Sequence, residues 1–419
     1  MGTVEHSLRK GNVRMNSAVA VTSELDDLEK ATEELCSGIQ KKLQFGRSAV
    51  GIVCCDADVA VDELGRRLHE RLGIEIVGMT TMALMERHTG YSNMGIILTV
   101  LTGDDVAFSV GDTGEINKDN YISLIRDAYR DASSRLAETS TEDPKLILLF
   151  SPYIPDFTAD RGMMEIHDMS GGVPIFGGIA TDHYDLQYQK TFRNGESLDG
   201  GYVFLLISGN VRPIFAMCHS FYGKVERKSK ITKSCDNQIG RVDDLTFRDY
   251  LASIMPCQQV DGIVALHFQS TPFLVELPDH DPSEPPVVRA LYSLNQETGA
   301  GGFLSQMPEG STLSIAMLQR NNLIESCTAA LDQIMAGMAK ATDYTYSMVF
   351  VCSCNARHLL LADLKECESE IFVEKIAGLN PELNAMGFYG FGELCPTGKD
   401  AANKSLNRYH NMSFTVCAF

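Results

Sequence analysis

Apolar residues recur along the chain at two spacings. In "SELDDLEKATEELCSGIQKKLQF" (23–45), Leu25, Leu28, Ala31, Leu35, Ile39 and Leu43 fall three or four apart. That is the stripe of an amphipathic helix, and Ser23 is its predicted N-cap. The continuous apolar runs at 48–54, 74–80 and 94–101 predict buried strands. Between the first two, residues 59–73 predict a helix ended by Gly73.

The same order returns twice. A strand at 145–150 leads into "SPYIPD", a helix around 157–170, a strand at 173–178, a polar loop and a strand at 201–209. Another strand at 347–352 leads into "SCNAR", a helix around 362–378, the strand "NAMGFYGFG" (384–392), a polar loop and a strand at 412–419. Each unit is strand, helix, strand, long loop, strand, and a repeat of that kind fixes the architecture. Between the second and third copies, the pattern predicts a helix at 244–254, strands at 262–268, 287–294 and 311–318, and a Met-rich helix at 322–340. The expected fold class is α/β, with repeated strand–helix–strand units in mixed, largely parallel sheets and two subdomains. The boundaries expected are an extension over 1–20, a first domain over 21–243 and a second over 244–419.

A strand joined through a helix to its neighbour makes a right-handed parallel crossover, and ligands then gather beyond the carboxyl ends of the strands. That rule nominates "CCDAD", "MTTMALMERH", "GGIATDHYD", "SCNARH" and "GFGELCPTG". The glycines of "GFYGFGE" mark a close backbone approach, expected here to be one wall of a ligand site. Glu393 and Arg357 offer a carboxylate and a guanidinium from the same copy, a fork that holds a zwitterion or locks two loops. His410 and Asn411 precede the last strand, and Gly178 with Asp182 mark the corresponding turn of the second copy. His88, His183 and His219 are further candidate ligands. Cys354 with His410, and Asn411 or Glu393 as orienter, is the nucleophilic alternative, in the manner of a cysteine-dependent hydrolase.

Composition narrows the classes. The 419 residues carry a net charge of −19, which leaves no basic stripe for nucleic acid and disfavours an anionic membrane surface. No run of about 18 apolar residues is present, so no membrane-spanning helix is expected. Twelve cysteines in a long chain without an export signal are expected as reduced thiols. Neither "CC" (54–55) nor "CSC" (352–354) has zinc-site spacing, so no metal site is assigned. Phosphate-loop, dinucleotide, G-x-S-x-G and H-E-x-x-H signatures are absent.

"SCNAR", "GFYGFGE", "PTG" and "RYHNMSFTV" together resemble the C-terminal half of the FIST sensory domain. "GMTTMAL", "GGIATD", "FRNGESLDGGYVFLLISG" and "ITKSCDNQIGRVDDLTFRDYL" resemble its N-terminal half, although "MTTMALMERH" departs from the family's small-Gly-Glu pattern. The resemblance covers residues 20 to 419 approximately. It implies a cytoplasmic small-molecule-sensing module of signal transduction that passes ligand state to a separate partner protein and is not an enzyme. The implied ligand is an amino acid or similar metabolite. Some members bind haem and report nitric oxide to a histidine kinase, so haem is the cofactor alternative, with His88, His183, His219 and His410 as axial candidates. Positions matched to the family are Cys354, Asn355, Arg357, Gly387, Tyr389, Gly392, Glu393, His410 and Asn411, with Gly178 and Asp182 in the first half.

Overall fold

The computed structural model describes residues 15–154, 157–183, 187–219, 221, 228–254, 272–282, 284–315 and 320–419. The first unit comprises β1 (Asn16–Thr22), α1 (Leu28–Gln40), β2 (Ser48–Cys55), α2 (Val61–Leu72), β3 (Glu75–Thr80), a hairpin of β4 (Leu84–Glu86) and β5 (Gly90–Ser92), and β6 (Ile96–Gly103). The second repeats it as β7 (Val106–Asp112), α3 (Tyr121–Thr139), β8 (Pro144–Ser151), α4 (Ala159–Ser170), β9 (Ile175–Ile179), a hairpin of β10 (Thr191–Arg193) and β11 (Glu196–Leu198), and β12 (Val203–Gly209).

The third unit opens with β13 (Ile214–His219) and then takes an insertion. That insertion holds β14 (Ser229–Cys235), β15 (Gln238–Val242), β16 (Leu245–Thr246), α5 (Phe247–Ile254), β17 (Pro272–Glu276), β18 (Val287–Leu294), β19 (Gly301–Phe303) and β20 (Thr312–Ile315). The unit resumes with α6 (Arg320–Lys340), β21 (Met348–Cys354), α7 (Asn355–Leu361), α8 (Cys367–Ala377), β22 (Asn384–Gly390), a hairpin of β23 (Glu393–Lys399) and β24 (Ser405–His410), and β25 (Ser413–Ala418). The strand expected at 262–268 lies outside the described residues.

Three six-stranded sheets share one topology, ordered β1-β6-β2-β3-β10-β11, β7-β12-β8-β9-β23-β24 and β13-β25-β21-β22-β4-β5. Each unit therefore gives four strands to its own sheet and its hairpin to another. The first unit's hairpin joins the third sheet, the second's joins the first, and the third's joins the second. The polar loops expected from sequence are these hairpins. Register repeats as well: Gly78, Gly177 and Gly387 stand opposite Val53, Leu149 and Val351 in the parallel pairs. On their other side they face Phe192, Leu394 and Met85 of the donated hairpins.

Among the described residues, parallel pairing is confined to β2–β3, β8–β9 and β21–β22. Each helical crossover makes one such pair, while the flanking strands and hairpin return antiparallel, so the sheets are mixed rather than largely parallel. In the insertion, β14, β20, β17, β18, β19 and β15 close into a six-stranded antiparallel barrel through the β14–β15 pairing. Its interior is filled by Phe247, Phe273, Phe303 and their aliphatic neighbours.

The three sheets turn one face to a common centre, where Ile52, Val77, Leu148, Phe150, Phe350 and Phe388 meet. Residues one position along, such as Val53, Leu149 and Val351, face outward under helices. α1 and α2 cover the first sheet, α3 and α4 the second, and α6 and α8 the third. Burial on both faces is why these strands read as continuous apolar runs rather than alternating ones. Within α1, the stripe from Leu28 to Ile39 is buried as expected, but the helix starts later. Asp27, not Ser23, caps it, accepting from the Lys30 amide at 3.0 Å. Gly73 ends α2 in the left-handed conformation, φ +67°.

Candidate functional site

β21 ends at Cys354 and turns directly into α7, which carries Asn355 and Arg357 into the interior. Arg357 is fully buried, and its carboxylate partner is Glu368 of α8, 2.6 Å away. It also donates to Ser326 Oγ (3.0 Å) and to the carbonyl of Leu323 (2.8 Å), both on α6. Ser353 Oγ donates to the second oxygen of Glu368 at 2.7 Å. This network ties α6, α7, α8 and β21 together. The fork expected between Arg357 and Glu393 is replaced by an Arg357–Glu368 pair, and Glu368 carried no signal in the sequence. Nearby, Tyr389 is buried on β22 with its ring edge-on to His358 at 5.2 Å.

Glu393 opens β23, facing Gly178 of β9 on one side and His410 of β24 on the other. One carboxylate oxygen accepts from the Ser413 hydroxyl (2.6 Å) and amide (3.0 Å). The other has no hydrogen-bond partner. Burial pushes the carboxyl up to about 8, against the lowering influence of Ser413, the neighbouring Cys354 and the charge of Arg357. His410 goes the other way: burial pulls it down to about 3, so it is neutral, and its Nε2 lies 3.0 Å from the carbonyl of Cys395. His219 on β13 is half-buried and pulled down to about 4 by burial and by Arg357.

The alternative cysteine nucleophile is not assembled. Cys354 is buried, and both desolvation and neighbouring Glu393 push its thiol well up, the wrong direction for a reactive thiolate. His410 is engaged with the Cys395 carbonyl. The Asn411 oxygen accepts from the Ala290 amide of β18 at 3.3 Å, which docks the barrel.

"NRYHNMSF" is the segment on which the barrel sits. Arg408 reaches Glu284 through a buried fork of 2.7 and 3.0 Å and Asp279 at 2.9 Å. From the barrel, Arg289 donates to the carbonyl of Tyr409 at 2.6 Å. Burial pulls Arg289 down to about 10, and it has no ion-pair partner among the described residues. On α4, Asp160 accepts from the Gln306 amide at 2.8 Å and Arg161 pairs with Asp236 at 3.4 Å.

Between these contacts a cavity of about 120 Å³ remains, at the carboxyl ends of β8 and β9. The second unit lines it with Ser151, Thr158 and Ile179, the third with Phe391 and Tyr409, and the barrel with Gln238, Ser293 and Leu304. Thr158 occupies the N-cap position of α4, yet its hydroxyl makes no capping bond and is buried without a partner. Phe391 comes from "GFYGFGE" and Tyr409 from "NRYHNMSF", so both quoted motifs reach the cavity through residues that sequence reasoning passed over. The glycines themselves admit protein rather than ligand. A Cβ at Gly392 would lie 2.1 Å from the Tyr409 hydroxyl, and one at Gly387 3.0–3.1 Å from Val351 and Met85.

The remaining candidates are dispersed. Gly178 is buried on β9, where a Cβ would meet Cys352 and Phe388. Asp182 holds its own loop, accepting from the amides of Gln187 (2.8 Å) and Tyr188 (2.9 Å). His183 is exposed beside Asp56 and Asp58. His88 is exposed on an open cleft whose walls include Glu366, Glu370 and Glu374. A haem needs a dry pocket over an axial ligand. Glutamates around His88, solvent at His183 and the carbonyl engaged by His410 do not fit it. His219 lines none of the cavities described.

A family model for the FIST N domain matches residues 49–245, and one for the FIST C domain matches residues 247–396. No curated protein matches the chain in sequence. Among solved structures, the crystal structure of a cyanuric acid hydrolase from A. caulinodans aligns over 97% of this chain and 99% of that one, at 9% identity and a TM-score of 0.36. A second cyanuric acid hydrolase structure aligns over 96% and 99%, at 8% identity and a TM-score of 0.33. Similarity at that level carries no functional argument.

Proposed function

The chain belongs to the FIST family, whose domains are small-molecule-binding sensory domains of signal transduction, and on that premise we propose that its ligand occupies the cavity beneath the barrel. The ligand is a compact polar metabolite of amino-acid size. The observation that carries this reading is the cavity at the strand ends, walled by three parts of the chain and holding the buried, unpartnered hydroxyl of Thr158. Aromatic faces from Tyr409 and Phe391 supply apolar area, and Thr158, Ser151 and Ser293 supply orientation, the usual division of labour in a small-ligand site.

The barrel touches the rest of the molecule around this cavity. A ligand that binds one barrel arrangement better than another shifts the population between them by its difference in affinity, and no more. A separate partner protein reads that shift; a histidine kinase is the partner type implied by the resemblance, and the setting is the cytoplasm. The buried Arg357–Glu368 network and Glu393 then serve the framework beneath the site, with Cys354, Asn355, His410 and Asn411 supporting it.

The test is a thermal-shift screen of amino acids and small carboxylates against the full chain. At least one compound is expected to raise the melting temperature with saturable concentration dependence. A screen without any such compound would count against the reading.

A further inference from the structure

We propose that Asp56, Asp58 and His183 form a zinc site that staples the first unit to the second. Asp56 and Asp58 lie on the loop between β2 and α2, and His183 follows β9. None of the three lines the cavity beneath the barrel, so this site is separate from the sensory one.

The spacing is that of co-ligands. His183 Nε2 stands 3.3 Å from Asp56 Oδ1 and 3.7 Å from Asp58 Oδ2. One donor atom from each residue lies within 4.8 Å of the others. A direct charge-assisted hydrogen bond would close to about 2.7–2.9 Å. Two donors bonded at about 2.0–2.2 Å to one tetrahedral ion stand roughly 3.3–3.6 Å apart.

Asp56 supplies the independent sign. Its side chain is only 3% exposed. Oδ1 accepts from the Asp58 amide at 2.9 Å, while Oδ2 is buried with no hydrogen-bond partner. Oδ1 is the oxygen that faces His183, and a buried carboxylate whose second oxygen is unsatisfied is costly unless a cation beside the group compensates it. His183 and Asp58 are 49% and 82% exposed, which leaves a path for the ion to enter and room for a water as fourth ligand. An imidazole with two carboxylates suits zinc better than magnesium or calcium, which prefer all-oxygen shells.

The experiment is calorimetric titration of Zn²⁺ into chelator-treated full-length protein, beside His183→Ala and Asp56→Asn. His183 is exposed, so its variant keeps the fold even if the Asp56 variant does not. The wild type is expected to bind one equivalent that His183→Ala weakens by about 100-fold. The melting temperature should rise with zinc in the wild type and much less in His183→Ala. Absence of stoichiometric binding, or equal affinity in the wild type and His183→Ala, overturns the proposal.

Discussion

Arg357 and Glu368 form an ion pair of 2.6 Å in which neither side chain is exposed. Removing one partner strands a buried charge, which costs about 3–5 kcal/mol, whereas replacing both with apolar residues is often tolerated. Arg357→Ala is therefore expected to lower the unfolding free energy by that amount. The double variant Arg357→Met/Glu368→Leu should recover much of the loss. Chemical denaturation of the three proteins checks it, and additive losses would show that the two residues do not act as a pair.

Glu393 and His410 face each other across β23 and β24 with opposite shifts, so the molecule's stability should depend on pH in a specific way. Glu393, raised to about 8, stabilises fully below the unfolded carboxyl value and loses that contribution as pH rises toward 8. His410, lowered to about 3, stabilises fully above the unfolded histidine value and loses its contribution as pH falls toward 3. Together they give a plateau from pH 4.5 to 6.5, with a decline on either side of about 1.4 kcal/mol per pH unit. Glu393→Gln should abolish the alkaline decline between pH 6.5 and 8 and let the acid decline of His410 begin at 6.5 instead of 4.5. Melting temperatures across that range decide it.

Phe192 of the second unit packs over Gly78 of the first, where a Cβ would lie 2.3 Å from its ring and 2.5 Å from the carbonyl oxygen of Val53. Gly78→Ala is expected to cost about 1–3 kcal/mol by overpacking. Hydrogen exchange should then rise first in β10 and β11, the donated hairpin, before it rises in β2.

The helix ending at Gly73 was legible because its stripe and its left-handed cap are local properties. The three-copy order was legible because each strand is buried on both faces and reads as a plain apolar run. The hairpins were not. β4 and β5 are three residues each; β4 takes its hydrogen bonds from β22, some three hundred residues away, and β5 pairs with β4, so their own pattern is that of a polar loop. Ser23 and Asp27 are both good caps, and tertiary packing chose the second. Of the nominated motifs, "GFYGFGE" and "NRYHNMSF" both reach the cavity beneath the barrel, through Phe391 and Tyr409 rather than through the residues nominated from sequence. Glycine marks close approach without saying what approaches, and here it is side chains of the protein itself.

Arg408 anchors the barrel through Glu284 and Asp279. Arg408→Ala leaves Glu284 buried without its guanidinium. Hydrogen exchange in β17 and β18 is expected to accelerate by at least about tenfold, the equivalent of about 1.4 kcal/mol, while β2 and β8 hold their protection. A uniform increase across the chain would mean that the barrel is not a separately docked element.

The most direct test of the sensory reading is isothermal titration of the compound found by thermal shift into the wild type, Thr158→Val and Leu304→Trp. Thr158→Val removes the unpartnered hydroxyl at nearly constant shape, and Leu304→Trp fills the cavity from the barrel side. Thr158→Val is expected to bind about tenfold more weakly, the worth of one hydrogen bond, and Leu304→Trp to show no measurable binding. Wild-type affinity in both variants would place the ligand elsewhere and contradict that reading.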